Sequence, residues 1–205
     1  NQLILLTNQR FTSMKKLINP KTENYFKLKE FVLSEDFPWH FNGEVVDEPS
    51  EGNQNSGNWS YSHCIINRPE INRYHFSAVL QHELFVNTIS EIFDYNQIPN
   101  YLFLRMAVNS THPVTSTESR IGYYHSDHDY KHQNFILYMT PTDGATMIEG
   151  VPYTPTEEDE CITFSGTHAT QFPTYGRRVI LVATYISLET DLSYKERCAQ
   201  LQALS

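Results

Sequence analysis

The second half of the chain is a series of short segments rich in β-branched and aromatic residues, separated by turn-forming residues. Such residues fit the pleated, half-buried surface of a sheet. The segments are YLFLRMAV (101–108), RIGYY (120–124), NFILYM (134–139), ATMIEGV (145–151), CITF (161–164) and RRVILVATYIS (177–187). Six short strands at this spacing predict a β-sandwich or barrel. The TDG turn signal between two of them predicts a hairpin.

The first half carries a different pattern. Residues 75–95 place apolar side chains close to a 3.6-residue period, which predicts an amphipathic helix in which His82 is an ordinary helical residue. Residues 22–34 alternate between helical and strand patterns, and the polar stretch 47–60 predicts a surface loop.

We predict a single domain over residues 1–205, mostly β with flanking helices. Its parts are a helix-rich segment over about 1–100, a β core over about 101–187 and a C-terminal helix over about 190–204. The 205 residues suffice for one domain with a sizeable core.

Composition narrows the function classes. The net charge is −9 and the chain has no run of Lys or Arg, which argues against a general nucleic-acid binder. The three cysteines are an odd number without metal-site spacing, so we expect a reducing, cytoplasmic environment. The apolar run LILL at 3–6 is too short to span a membrane, so no membrane partner is expected.

The stretch YYHSDHDYKH (123–132) holds three histidines and two aspartates, and is either a metal site or a polar loop. If the strand from Arg120 continues, His125 and Asp127 share one face. His168, which follows the CITF strand and a glycine turn, is the candidate third ligand. Two histidines and a carboxylate form the facial triad of non-haem Fe(II) oxygenases, although a zinc hydrolase can use the same ligand types. The other polar residues, His128, Asp129 and His132, then form a loop at the rim of the site.

Two arginines begin the last apolar strand. Strand alternation turns one of Arg177 and Arg178 inward, where a guanidinium without a partner is costly. A bound dicarboxylate would supply that partner through a bidentate pair.

These residues resemble the H-x-D…H…G-x-R pattern of the Fe(II)/2-oxoglutarate-dependent dioxygenases, through HSD (125–127), His168 and GRR (176–178). The chain is most similar to the prolyl 4-hydroxylase-like branch, and especially to a group from marine cyanophages and marine metagenomes. Further similar stretches are FPWHF (37–41), LRMAVNSTHP (104–113), FILYMTPTDGAT (135–146) and FSGTHATQF (164–172).

The resemblance implies a double-stranded β-helix, the cupin-like jelly-roll, with supporting helices on one sheet. It implies that His125, Asp127 and His168 bind Fe(II), and that Arg178 binds the distal carboxylate of 2-oxoglutarate. Asn109 and Tyr138 are the candidate assistants of Arg178, although the alignment puts Leu137 rather than Tyr138 inward. Tyr123 is either a pocket residue or an ordinary core aromatic.

The activity implied is hydroxylation of a C–H bond, with O2 consumed, succinate and CO2 released, and ascorbate supporting turnover in vitro. The substrate is a prolyl or other amino-acid residue in a peptide, or a small molecule, and a phage-encoded protein would act in the host cytoplasm. Two alternatives stay open. One is a zinc-binding hydrolase or isomerase of cupin type, and the other is a non-catalytic jelly-roll interaction protein. The sequence carries no signal for the oligomeric state.

Overall fold

The computed structural model describes residues 14–42, 59–69, 81–114 and 120–188, which contain ten strands and two helices. The strands are β1 (Lys15–Leu17), β2 (His40–Asn42), β3 (Ser60–Ile66), β4 (Tyr101–Thr111), β5 (Gln133–Tyr138), β6 (Thr146–Ile148), β7 (Val151–Tyr153), β8 (Cys161–Phe164), β9 (His168–Thr170) and β10 (Arg178–Ser187). The helices are α1 (Glu23–Leu33) and α2 (His82–Tyr95). The predicted fold class, mostly β with flanking helices, is confirmed.

The strands form two sheets. The larger has the order β1-β8-β5-β10-β4-β3-β2, and the smaller has the order β7-β6-β9. The long strand β10 is central to the larger sheet, because it pairs antiparallel with β4 on one side and β5 on the other. Between the two sheets lies an apolar cluster of Ile136, Tyr138, Ile148, Ile162, Phe164, Ile180 and Val182. We call the face of the larger sheet that contacts this cluster the inner face.

The helices pack on the outer face of the larger sheet. Helix α2 buries Phe85, Ile89, Ile92 and Phe93, whose spacing of three to four residues places them on one stripe. Helix α1 buries Tyr25, Leu28 and Val32 on a similar stripe, and the Thr22 hydroxyl caps its first turn by accepting from the Tyr25 N–H. The pattern over 22–34 therefore resolves to helix.

The predicted helix over 75–95 is observed from His82 onward, with His82 exposed, and its earlier residues lie outside the described ranges. The N-terminal part contributes β1, β2 and β3 to the larger sheet as well as two helices. The predicted loop over 47–60 lies almost entirely outside the described residues, and the predicted C-terminal helix lies wholly outside them. Neither described helix is long and apolar enough to cross a membrane.

Two strand predictions were wrong. The segment 120–124 is not a regular strand, since within it only Ile121 pairs, in an isolated bridge to Gln171 just beyond β9. The segment 145–151 is two strands, β6 and β7, because the chain reverses at Glu149 and Gly150, both with positive φ.

The side chains at the end of β5 are oriented opposite to the prediction. Leu137 was expected to point inward, but it packs in the core on the outer face, and Tyr138 lies on the inner face.

The TDG turn does not close a hairpin, because β5 pairs within the larger sheet and β6 within the smaller one. It carries the chain from one sheet to the other. Its glycine is needed for space: a Cβ at Gly144 would lie 2.7 Å from Cδ of Arg178 and 3.1 Å from the Gln171 carbonyl oxygen. The TDG motif does form a turn, but its glycine is required because the side chain of Arg178 packs closely against it.

One ion-pair network fastens α1 to the turn before β8. The Asp159 carboxylate accepts from the Tyr25 hydroxyl and the Lys29 ammonium (2.7 Å), and Lys21 lies 3.1 Å from its other oxygen. Burial would raise the pKa of Asp159, but hydrogen bonds from Lys29, Tyr25 and Lys21 outweigh burial and hold the pKa below its usual value. The carboxylate is thus charged in the folded protein and stabilises it.

We expect Asp159→Asn to lower the free energy of unfolding by about 1–3 kcal/mol at pH 7, the usual cost of a lost hydrogen bond to a charged group. Asparagine tolerates the positive φ at this position, so backbone strain should not contribute. Because folding lowers the pKa of Asp159, its contribution is fully present above the ordinary carboxyl pKa. It fades as pH falls through the lower folded value, and the difference between variant and wild type should shrink below about pH 4.

Denaturant unfolding at several pH values measures this difference, with the exposed Asp36→Asn as the matched control. Equal stability of Asp159→Asn and wild type at pH 7 would contradict the anchoring role.

Candidate metal centre

Two of the three predicted ligands are joined through their backbones. His125 and His168 exchange two hydrogen bonds, each 2.9 Å from N–H to carbonyl oxygen, in an isolated antiparallel bridge. A second bridge joins Ile121 to Gln171. Between the two bridges the chain advances four residues from Ile121 to His125, but only three from His168 to Gln171. This extra residue is bulge-like and breaks the regular alternation that was assumed for 120–127. His125 and His168 are therefore brought together by their backbone bridge, and not by a continuous strand through 120–127.

The side chains of His125, Asp127 and His168 form a compact cluster. Each offers a ligand atom, and the three atoms lie within 4.8 Å of one another. The Asp127 Oδ2 to His168 Nε2 distance is 3.5 Å, and the centroids of the two imidazole rings are 4.5 Å apart. His125 Nδ1 lies 3.1 Å from the Tyr123 carbonyl oxygen, an arrangement that orients Nε2 away from the backbone and fixes the ring.

The Asp127 carboxylate is held by two arginines that the sequence analysis did not identify. Arg68 Nη2 and Arg105 Nη1 both donate to Oδ1, at 2.8 and 3.0 Å. Oδ2 is buried and has no hydrogen-bond partner among the described residues. A buried oxygen of a charged carboxylate is expected to have a partner, so the free Oδ2 fits a cation at the cluster.

Electrostatics fix the protonation states of two of the residues. Burial would raise the pKa of Asp127, but Arg105, His168 and Arg68 together hold it far below its usual range. Burial lowers the pKa of His168 to about 4, helped by the nearby His125 and opposed by Asp127. At neutral pH His168 is therefore a neutral imidazole and Asp127 a carboxylate, which are the forms that bind metals.

Arg178 is the largest fully buried side chain among the described residues, with 1% of its surface exposed. Its Nη2 donates to the Thr146 hydroxyl at 2.9 Å, and its Nε has no partner among the described residues. Its guanidinium carbon lies 5.4 Å from the centroid of the Tyr138 ring. Arg177 has the opposite orientation and stacks over Trp39 on the outer face, at 5.3 Å.

The two candidate assistants of Arg178 differ in position. Tyr138 is beside it, because its hydroxyl shares a 2.6 Å hydrogen bond with the same Thr146 oxygen that Arg178 contacts. Asn109 lies on the same face, in the pair Asn109–Ile180, two residues along β4 from the pair Thr111–Arg178. Thr146 was missed, although its position at the start of an apolar strand was a usable signal.

The prediction that His128, Asp129 and His132 form a loop at the rim of the site was wrong for the two histidines. His128 and His132 are buried, at 5% and 7% exposure, and only Asp129 is exposed as expected. His128 Nε2 lies 2.7 Å from the Thr184 hydroxyl, and the ring stacks on Tyr130. His128 thus packs against β10, and the His132 ring packs edge-on against His128 at 4.8 Å. Neither belongs to the cluster of His125, Asp127 and His168.

No protein-family model matches the chain, and no curated protein sequence matches it. Solved structures do match in fold. An oxidoreductase of the 2OG-Fe(II) oxygenase family from Burkholderia pseudomallei superposes with a TM-score of 0.51 at 14% identity, covering 72% of each chain.

Two prolyl hydroxylases match more weakly. The viral collagen prolyl hydroxylase of Paramecium Bursaria Chlorella virus-1 has a TM-score of 0.40 at 14% identity, covering 57% of this chain and 74% of that one. A Pseudomonas putida prolyl-4-hydroxylase has 0.36 at 13% identity, covering 64% and 74%. The predicted resemblance is confirmed at the level of the fold: the chain has the double-stranded β-helix fold of the 2OG-Fe(II) oxygenases.

Proposed function

We propose that this protein is an Fe(II)- and 2-oxoglutarate-dependent dioxygenase that hydroxylates a C–H bond of its substrate. The observation that carries the proposal is the burial of Arg178 without a carboxylate partner in the described part of the chain. An unpaired buried charge costs several kcal/mol. A bound dicarboxylate would remove this cost, and 2-oxoglutarate is the dicarboxylate cosubstrate of many oxygenases whose iron is held by two histidines and one carboxylate.

The surroundings of Arg178 support this assignment. Tyr138 and Thr146 add hydroxyl groups on the same side as the guanidinium. Gly144 leaves the space that the arginine side chain occupies. In the proposal, Arg178 and Thr146 bind the distal carboxylate and Tyr138 completes the hydrogen-bonded wall. Asn109, on the same face, stays a candidate for a further donor.

In the proposal His125, Asp127 and His168 hold Fe(II), which, when bound with O2 and 2-oxoglutarate, supplies the oxidation that yields succinate, CO2 and a hydroxylated product. The chain's own groups prepare the site. His168 is neutral and Asp127 charged at neutral pH, so neither has to lose a proton for metal binding. Ile136, Ile148 and Ile180 belong to the buried apolar cluster between the sheets, which in the proposal would exclude water from the cosubstrate.

We expect Arg178→Gln to weaken 2-oxoglutarate binding by about 2–5 kcal/mol, which is roughly 30-fold or more, because a buried charge pair can no longer form. Without 2-oxoglutarate the variant should be as stable as wild type or more stable, since an unpaired buried charge has been removed. Thermal unfolding with and without 2-oxoglutarate in the presence of Mn(II) measures both effects.

Arg177→Gln is the matched control, because it removes the same charge on the outer face and should leave 2-oxoglutarate binding unchanged. If Arg178→Gln bound 2-oxoglutarate like wild type, the cosubstrate assignment would be wrong.

We expect His168→Ala to weaken Mn(II) binding by more than about 100-fold, since losing a direct ligand should exceed the 10–100-fold effect of changing a residue behind one. The exposed His82→Ala is the control and should bind Mn(II) like wild type. Electron paramagnetic resonance of free Mn(II) measures the affinity, and succinate formation with Fe(II), O2 and ascorbate measures turnover. Tight zinc binding with neither 2-oxoglutarate binding nor succinate formation would favour the zinc hydrolase instead.

A further inference from the structure

Arg68 and Arg105, beside the metal cluster, carry more positive charge than the single carboxylate of Asp127 neutralises. Arg68 follows β3 and Arg105 lies on β4, and both guanidinium groups reach the same oxygen, Oδ1 of Asp127. One arginine is enough to pair with a carboxylate, so the second adds a positive charge that Asp127 does not neutralise. No other acid lies within salt-bridge distance of either arginine in the ranges that the structure describes.

Both guanidinium groups remain accessible and have unused donors. Their side chains are 27% and 21% exposed, whereas the Asp127 side chain is 1% exposed. A guanidinium carries five N–H donors, and each arginine directs one of them to Asp127. For the remaining donors we find no acceptor among the described residues. The two arginines therefore face solvent from the wall that holds the metal ligand.

The charges of the proposed loaded site do not cancel. Fe(II) and the doubly negative 2-oxoglutarate neutralise each other, and Asp127 offsets one of the three arginines, Arg68, Arg105 and Arg178. Two positive charges remain beside the metal, in a chain whose net charge is −9. A substrate without negative charge would leave this local excess uncompensated in a partly desolvated site.

We propose that Arg68 and Arg105 form a binding site for an oxyanion of the substrate, a carboxylate or a phosphate, placed a few atoms from the carbon that is oxidised. The planar fork of each guanidinium fits either group through paired hydrogen bonds. The inference rests on the proposed function, because the charge balance assumes bound Fe(II) and 2-oxoglutarate. It makes the two arginines specificity-determining residues as well as positioning residues for Asp127.

The test uses the full chain loaded with Mn(II) and saturating 2-oxoglutarate, so that the pocket of Arg178 is already filled. Three probes are added in turn: N-acetylglycine, its uncharged isostere N-acetylglycinamide, and methyl phosphate. Paramagnetic broadening of the NMR lines of each probe by Mn(II) reports binding next to the metal. The first and third probes separate a carboxylate source from a phosphate source.

We expect broadening of one or both anionic probes and much less of the amide. Arg68→Gln and Arg105→Gln should each weaken binding of the anionic probe by about tenfold or more, as for a lost hydrogen bond to a charged group. Arg177→Gln, the control that removes an equal charge from the outer face, should leave the broadening unchanged.

Three results would overturn the inference while leaving the proposed function intact: equal broadening by N-acetylglycine and its amide, no broadening by any probe, or unchanged anion binding in both arginine variants. A drop in Mn(II) affinity in those variants without a change in the preference for anions would reduce the arginines to positioning Asp127. Failure of the wild-type protein to bind Mn(II) or 2-oxoglutarate at all would overturn the proposed function, and this inference with it.

Discussion

The burial of one charged side chain, Arg178, constrains much of this structure. It begins the central strand β10, and the register with β4 and β5 turns it toward the space between the sheets. Its neighbours accommodate it: Gly144 leaves room for its side chain, and Thr146 and Tyr138 contribute hydroxyl groups. An alternative register shifted by one residue would move Arg178 to the outer core and Leu181 to the inner one, which makes the register strongly determined.

The metal cluster depends on a different kind of constraint. Its ligands come from a segment without regular secondary structure and from the first residue of β9, and paired backbone hydrogen bonds hold the two together. Asp127 is then oriented by Arg68 and Arg105, which contact only one of its oxygens. Backbone hydrogen bonds thus position the two histidines, and the arginines bind Oδ1 of Asp127, so that Oδ2 is the oxygen left for a metal.

Much of the fold could be predicted because its signals are local. The strands β4, β5, β8 and β10 were anticipated from β-branched and aromatic runs, and the inward turn of Arg178 follows from alternation. The failures have a common cause, which is pairing between distant segments. The bulge-like register at His125, the sheet change at Gly144 and the convergence of Arg68 with Arg105 all depend on which strands meet. The sequence next to each of these residues does not specify which distant segment it will contact.

The segment from Arg120 to His125 runs along β9 and its extension as an incomplete fourth strand of the smaller sheet. Two bridges hold it, each made of two backbone hydrogen bonds. In the bridge at Ile121, Gly122 donates to the Thr170 carbonyl at 2.8 Å and Phe172 donates to the Arg120 carbonyl. Few hydrogen bonds hold this edge, so its local opening should cost less free energy than that of the larger sheet. A cation shared by His125, Asp127 and His168 would tie the edge to β9. Metal binding and the closing of the sheet edge would then be thermodynamically linked, each favouring the other.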